Sequence, residues 1–323
     1  MLQRSSALML AVVTLIASAA AFAQGYPNKP IRIVVPFAPG GNVDVNARAI
    51  APGMSELLGQ PVIVENRPGA GGMIGGEHVA KSAPDGYTLL MATNSIYSIA
   101  PSVYPKPLYH PVRDFAAVSA LTSVPFILVV HPSVPVKNFK EFAAIAKSAR
   151  PKLTLANGGT GTSSHLVGEL MQMQIGSTMP TVPYKGSGPA LIDIVGGHVD
   201  AFVDQLSTSI VYVRAGRLRA IAVTTDKRSS QLPDVLTLAE SGLKGFDATT
   251  IAGLLAPAAT PKEIIERLNA AAVKTINQPA IKSRFAELGA DTIGNSPGEF
   301  AAYVKDDYAK WYKVVKDANI KVD

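Results

Sequence analysis

Between residues 31 and 223, short runs of Val, Ile and Leu alternate with stretches of helical periodicity. This alternation limits the possible folds more than any other feature, because strands that each feed a helix mark an α/β protein with mostly parallel sheets. Residues 31–37 read as a strand, followed by a Gly-rich turn and a helix to Leu58 that Pro52 is expected to kink. Residues 61–66 and 87–92 read as further strands, the latter entered through Pro84-Asp85-Gly86. Between them a glycine-rich loop, 69–76, runs into a helix near 78–81. A strand at 124–130 opens a second set: helix 138–149, strand 153–155, helix 162–173, strand 181–184, helix 189–195, strand 201–203, helix 208–215 and strand 218–223. After a stretch punctuated by Pro and Gly, 251–256 reads as a strand, and helices at 261–276, 280–288 and 297–318 close the chain. The sequence has no repeat, low-complexity tract or long linker. Two units joined by short crossovers are therefore expected, with the last helices returning to the first unit.

Residues 1–23 read as a secretory signal, with Arg4 as the basic start, an apolar run over 7–20 and Ala21-Phe22-Ala23 as the cleavage pattern. Export with cleavage after about Ala23 is expected. The remaining 300 residues suffice for two cores. The chain has no cysteine, so it must be stable without disulfides, and thiolate nucleophiles, iron–sulfur clusters and thiolate zinc sites are excluded. The formal net charge is +6, or +5 without Arg4, the one charged residue of the first 23. Lys and Arg are scattered singly and do not interleave with aromatics, which argues against nucleic acid as a partner. A mild positive field suits small anions better.

Candidate ligand residues fall at strand-to-helix turns, where open α/β sheets hold ligands. In Pro36-Phe37-Ala38-Pro39-Gly40-Gly41-Asn42-Val43-Asp44 the two glycines expose backbone N–H groups and the helix that follows adds its positive end. Such a turn can hold a carboxylate without a charged side chain; alternatively it is only a tight turn, with Asp44 as a helix cap. Asn157-Gly158-Gly159-Thr160-Gly161-Thr162-Ser163-Ser164-His165 combines glycine amides with hydroxyls and reads as an anion nest. It lacks the Gly-Lys-Ser/Thr of a nucleotide loop, and His165 has a packing or capping role as its alternative. Tyr184-Lys185-Gly186-Ser187-Gly188 and Val203-Asp204-Gln205 lie at further strand ends and are expected to line the same cleft. Lys185 is a cationic contact or a solvated lysine. Asp204 is an acceptor for a loop amide or for a ligand hydroxyl or amine. Asn94, just past the third strand, joins the candidate set.

Catalytic alternatives find little support. Gly69-Ala70-Gly71-Gly72-Met73-Ile74-Gly75 misses the spacing of a dinucleotide fingerprint, and Gly186-Ser187-Gly188 is not a nucleophile elbow. The histidines at 78, 110, 131, 165 and 198 form no metal-like pair. No cofactor or metal is expected, and the protein is not read as an enzyme.

Several motifs in order resemble one family. Val35-Pro36-Phe37-Ala38-Pro39-Gly40-Gly41 with Asp44 and Ala47-Arg48 is similar to the first ligand loop of the tripartite tricarboxylate transporter solute receptors, the Bug family. So are Val64-Glu65-Asn66-Arg67-Pro68-Gly69-Ala70-Gly71-Gly72, Pro84-Asp85-Gly86-Tyr87-Thr88-Leu89-Leu90, Ala215-Gly216-Arg217-Leu218-Arg219-Ala220-Ile221-Ala222-Val223, Leu232-Pro233-Asp234-Val235 and Ala239-Glu240-Ser241-Gly242. The resemblance implies a two-domain periplasmic binding protein fold of type II, closing on a ligand in the interdomain cleft. It implies domains at 24–124 plus 250–323 and at 125–249, a monomer, and membrane transporter subunits as partners. The ligand expected is a small di- or tricarboxylate, aromatic dicarboxylates such as terephthalate included. One carboxylate would be held by Phe37, Ala38, Gly40, Gly41 and Asp44, often through waters. A second polar group would be gripped by Gly159, Thr160, Thr162, Ser163 and His165, with Asp204 across the cleft. The family's aromatic before the Gly-Leu-x-Ala-Pro strand is missing ahead of Gly253. A sensory protein that presents a bound carboxylate to a membrane kinase is the alternative function.

Overall fold

The structure, a computed structural model, describes residues 25–148 and 153–317. The expected export segment and the far ends of the 138–149 and 297–318 helices lie outside the described residues. Among the described residues ten strands form one continuous, mixed sheet system in the order β2-β1-β3-β9-β4-β7-β5-β6, with β8 and β10 both pairing β4. The strands are β1 (Ile31–Val35), β2 (Val62–Asn66), β3 (Thr88–Thr93), β4 (Phe115–Val130), β5 (Leu155–Asn157), β6 (Thr181–Pro183), β7 (Ala201–Gln205), β8 (Arg219–Val223), β9 (Thr249–Pro257) and β10 (Asp291–Thr292).

The parallel order read from the strand–helix alternation holds at the two outer ends, where β1 pairs β2 and β3, and β5 pairs β6 and β7. The middle is antiparallel: β9 lies between β3 and β4, and β4 also pairs β7 and β8. The reason is β4 itself. Its sixteen residues run through two sheets, pairing β9 over Phe115 to Pro125 and then β7 and β8 from Phe126 and Ile127 onward. Pro125, which has no N–H to give a ladder, stands where the chain leaves one sheet for the other. The first half of β4 is rich in Ala and lacks the run of Val and Ile that marks its second half. A second connection returns close by, where Thr224 Oγ1 donates to the Ala248 carbonyl at 2.6 Å and accepts from the Phe126 N–H at 2.9 Å.

The helices are α1 (Asn42–Leu58), α2 (Met73–Ala80), α3 (Ala100–Val103), α4 (Phe139–Ala146), α5 (Ser163–Ile175), α6 (Ser187–Val195), α7 (Leu206–Arg214), α8 (Lys262–Ile276), α9 (Pro279–Glu287) and α10 (Pro297–Asp317). A π-helical turn, Ser95–Ile99, precedes α3. The helix α1 runs through Pro52 as one element; α8 packs back against α1 and β4, and α10 against β4 and the π-helical turn. Two large apolar clusters and one small one result among the described residues. The largest surrounds β1, β3 and β9, and the second gathers Phe126, Phe142, Leu155, Met171 and Val203 beside the second half of β4. Full burial of a side chain such as Phe126 or Phe142 contributes about 1.5–3 kcal/mol. Packing around these clusters holds the strand-to-helix turns in place, and the largest one continues to Phe202, Leu206 and Val223.

Candidate functional site

A cavity of about 30 Å³ lies where the starts of five helical segments meet. Gly41, Asn42 and Val43 come from the start of α1, Ser95 from the π-helical turn, and Thr162 and Ser164 from the start of α5. Gly186 and Ser187 begin α6, and Gln205 caps α7; Phe37 and Gly158 complete the wall. The first N–H groups of a helix lack intrahelical acceptors, and each helix start carries about half a positive charge. No lining residue has a titratable side chain. The partial positive charge of these helix starts favours an anion at the cavity.

Its framework is a set of local clamps. Asp44 Oδ2 accepts from the Gly40 N–H at 3.0 Å and from Arg48 Nε at 2.9 Å, and its Oδ1 accepts from Asn66 Nδ2 at 2.9 Å. Asn66 also donates to the Phe37 carbonyl at 3.0 Å. Burial alone would raise the Asp44 pKa, but these donors outweigh it and hold the carboxyl below its ordinary range. Asp44 thus shapes the loop, and Gly40 takes the left-handed φ of +86° that the turn requires. The Ala38 N–H is also engaged, donating to the Lys185 carbonyl at 2.8 Å.

The second turn is built in the same way. Gly159, at φ +126°, donates its N–H to Asn157 Oδ1 at 2.9 Å, and Thr162 Oγ1 donates back to the Gly159 carbonyl at 2.7 Å. The Ser163 N–H donates to Ser95 Oγ at 3.0 Å, and the two hydroxyls lie 2.7 Å apart. The Thr160 carbonyl accepts from Tyr104 OH at 3.2 Å. His165 Nδ1 accepts from the Gly161 N–H at 3.3 Å, which places its proton on Nε2. Burial pushes the His165 pKa down and that of Glu169 up. Their 3.8 Å approach is too long for a hydrogen bond and is not an ion pair at neutral pH.

Seven expected residues line neither this cavity nor the chamber beside it: Ala38, Gly40, Asp44, Ser163 and His165 are held in the turns just described, and Asp204 and Asn94 stand behind them. Asp204 is fully buried; its Oδ2 accepts from Thr208 Oγ1 at 2.7 Å and Ser209 Oγ at 2.8 Å, so it organises the first turn of α7. Burial pushes its pKa up. Asn94 donates to the Thr249 carbonyl at 3.0 Å, tying β3 to β9. Phe37, Gly41 and Thr162 do line the cavity. The choice of individual residues passed over Asn42, Ser164, Ser187 and Gln205 inside segments already placed at the cleft, and missed Ser95 altogether. Ser95 carries no sequence signal, because a π-helical turn has none.

An outer chamber of about 190 Å³ adjoins the cavity through Phe37 and Gly158 and is also lined by Thr160, Tyr104 and the exposed Lys185. Its opposite wall is Gly69 to Gly72, four consecutive residues at positive φ, Ala70 among them. The stretch dismissed as a dinucleotide fingerprint is thus a wall of the chamber. A larger cavity of about 390 Å³ near Pro125 is lined by charges of both signs, with Arg228 bound by Glu240 at 3.0 Å; it has no comparable convergence. Among the described residues no group of three His, Asp or Glu could hold a metal ion.

The two sides of the cleft touch directly. Besides the Ala38, Ser95 and Tyr104 contacts, Ser207 Oγ donates to Asn42 Oδ1 at 2.9 Å, and Leu166 of α5 packs with Ile99, Val103 and Val315. A side chain on Gly188 would collide with the Pro39 carbonyl oxygen.

Residues 46–320 match the model of the family described as the tripartite tricarboxylate transporter family receptor. Three solved structures are similar. Periplasmic binding protein BugD is 38% identical, with a TM-score of 0.89 over 92% of this chain and 99% of its own. MatC from Rhodopseudomonas palustris, with bound malate, is 35% identical, with a TM-score of 0.86 over 90% of this chain and 100% of its own. A second R. palustris protein, with adipate, is 35% identical, with a TM-score of 0.88 over 92% and 99%.

Proposed function

Because the chain belongs to the tripartite tricarboxylate transporter receptor family, whose members are periplasmic solute-binding receptors and not enzymes, we propose that it captures a small dicarboxylate or tricarboxylate for uptake by that family's membrane subunits. The observation that carries the reading is the cavity lined by helix starts without a charged side chain. One carboxylate binds there; the space holds about two water-sized groups, enough for the head of an acid and an ordered water. The rest of the ligand extends past Phe37 into the outer chamber, where Lys185 and the turn at Gly159 and Thr160 meet a second polar group. The malate and adipate held by the two R. palustris neighbours have this two-ended character.

Binding proceeds by closure of two lobes, residues 24–124 with 250–323 against residues 125–249, about the adjacent crossings at Pro125 and Thr249. Export is directed by residues 1–23, with cleavage after about Ala23. No helix among the described residues is long and apolar enough to cross a membrane. Titration calorimetry against malate, adipate, citrate and terephthalate tests the proposal. Binding of at least one acid with Kd below ~1 mM is expected, and no binding at that level by any of them overturns it.

A further inference from the structure

Asn42, the first residue of α1, lines the inner cavity and is 3% exposed. Its side chain has one group without a hydrogen-bond partner, the amide nitrogen Nδ2. The orientation of this amide follows from its neighbours. Asn46 Nδ2 lies 2.9 Å from the Asn42 main-chain carbonyl, which can only accept, so the Asn46 nitrogen is fixed as a donor. The same nitrogen lies 3.1 Å from Asn42 Oδ1, and Asn46 Oδ1 accepts from Thr122 Oγ1 at 2.7 Å. Ser207 Oγ gives Asn42 Oδ1 a second donor from across the cleft, at 2.9 Å. The oxygen of Asn42 is thus doubly engaged and its NH2 is left over, beside a cavity built for an anion. A buried donor left unpaired is costly, and such groups are rare unless something fills the place.

We propose that Asn42 is a specificity-determining contact: its Nδ2 donates to an unprotonated oxygen of the bound acid, and Ser207 holds the amide in that orientation when the two sides of the cleft come together. Asn42 then links recognition to closure. Its bond to Asn46 lies within α1, whereas its bond to Ser207 joins α1 to α7 and forms only on closure. This rests on the carboxylate-receptor reading above and adds the residue through which the ligand's acceptor is read.

Asn42→Asp is the sharpest test. Aspartate is isosteric, keeps an oxygen for Asn46 and Ser207, and suits the first turn of a helix. It replaces the donor with a second acceptor and brings a negative charge towards an anion. Calorimetry with malate, adipate, citrate and terephthalate on the full-length protein, with thermal unfolding of the ligand-free protein in parallel, gives the readout. For whichever acid binds the wild type most tightly, Asn42→Asp is expected to weaken affinity at least 100-fold, Asn42→Ala about tenfold, and Ser207→Ala several-fold. The ligand-free melting temperature of Asn42→Asp should stay at or above that of the wild type. Affinity within twofold of wild type in both Asn42 variants overturns the inference and leaves the receptor reading standing. A loss of affinity matched by an equal loss of ligand-free stability makes the residue a packing element and also overturns it. A wild type that binds none of the four acids overturns the receptor reading and this inference with it.

Discussion

Gly188 is the second residue of α6, a position where alanine is the better helix former by up to ~1 kcal/mol. In the structure, however, an added Cβ would strike the Pro39 carbonyl oxygen, and would lie 3.2 Å from the Pro39 carbonyl carbon and 3.5 Å from that of Gly40. These are backbone atoms of the first loop, which the Gly40 bond to Asp44 and the Ala38 bond to Lys185 hold in place. They cannot swing aside as a flexible side chain would. Overpacking of this kind costs about 1–3 kcal/mol. Because Pro39 and Gly188 lie on opposite sides of the cleft, the proposed opening of the cleft would relieve the clash, and the cost would then fall only on the closed form. Gly188→Ala should therefore weaken ligand binding roughly 5- to 150-fold, since ~1.4 kcal/mol is a factor of ten. The ligand-free protein should unfold at the same temperature or slightly higher. Calorimetry and thermal unfolding give the two numbers. Wild-type affinity in the variant would refute the reasoning, and so would a drop in ligand-free stability, which would place the clash in the open form as well.

Three further outcomes follow from the clamps and the chamber. Asp44→Asn replaces an acceptor oxygen with an NH2 facing Arg48 or Asn66, so unfolding measurements should show a loss of about 1–3 kcal/mol, with weaker binding. Since the folded pKa of Asp44 is depressed, its contribution is present above the ordinary carboxylate pKa and fades as pH falls through the folded value; the wild type's acid loss of stability below about pH 4 should be shallower in the variant. Asp204 behaves in the opposite sense: with a raised folded pKa it favours folding at low pH and loses that advantage as pH rises. Asp204→Asn, which keeps an oxygen for Thr208 and Ser209, should therefore gain on the wild type as pH rises above the ordinary carboxylate pKa of about 4 in denaturant titrations; parallel curves would refute this. Lys185→Ala should weaken adipate binding about two- to fivefold and leave a monocarboxylate of similar size unaffected, as judged by calorimetry in low salt.

Much of the fold was legible because strand and helix periods differ and Gly and Pro mark their ends. The β1–α1 turn, the Asn157–Ser164 turn and the segments around Ser187 and Gln205 were all placed at strand ends before any contact was known. Individual contacts were harder to read. Asp44 and Thr162 suit a carboxylate site by residue type, yet their polar atoms serve the loop and the helix cap. Ser95 and Tyr104 reach Ser163 and Thr160 across gaps of 68 and 56 residues, and no local pattern encodes such partners.

By itself, the sequence determined the elements and their class, because backbone propensity, apolar periodicity and turn chemistry act within a few residues. It also determined that neither glycine-rich turn carries a Lys or Arg, so that an anion seated in those turns would be met by amides and hydroxyls. Only the tertiary structure decided that β4 would cross both sheets, that five helical starts would share one cavity, and that Asn42 would keep a spare donor there. Those outcomes depend on which atoms distant segments leave unpaired once packed, a property of the whole fold and of no single stretch of chain.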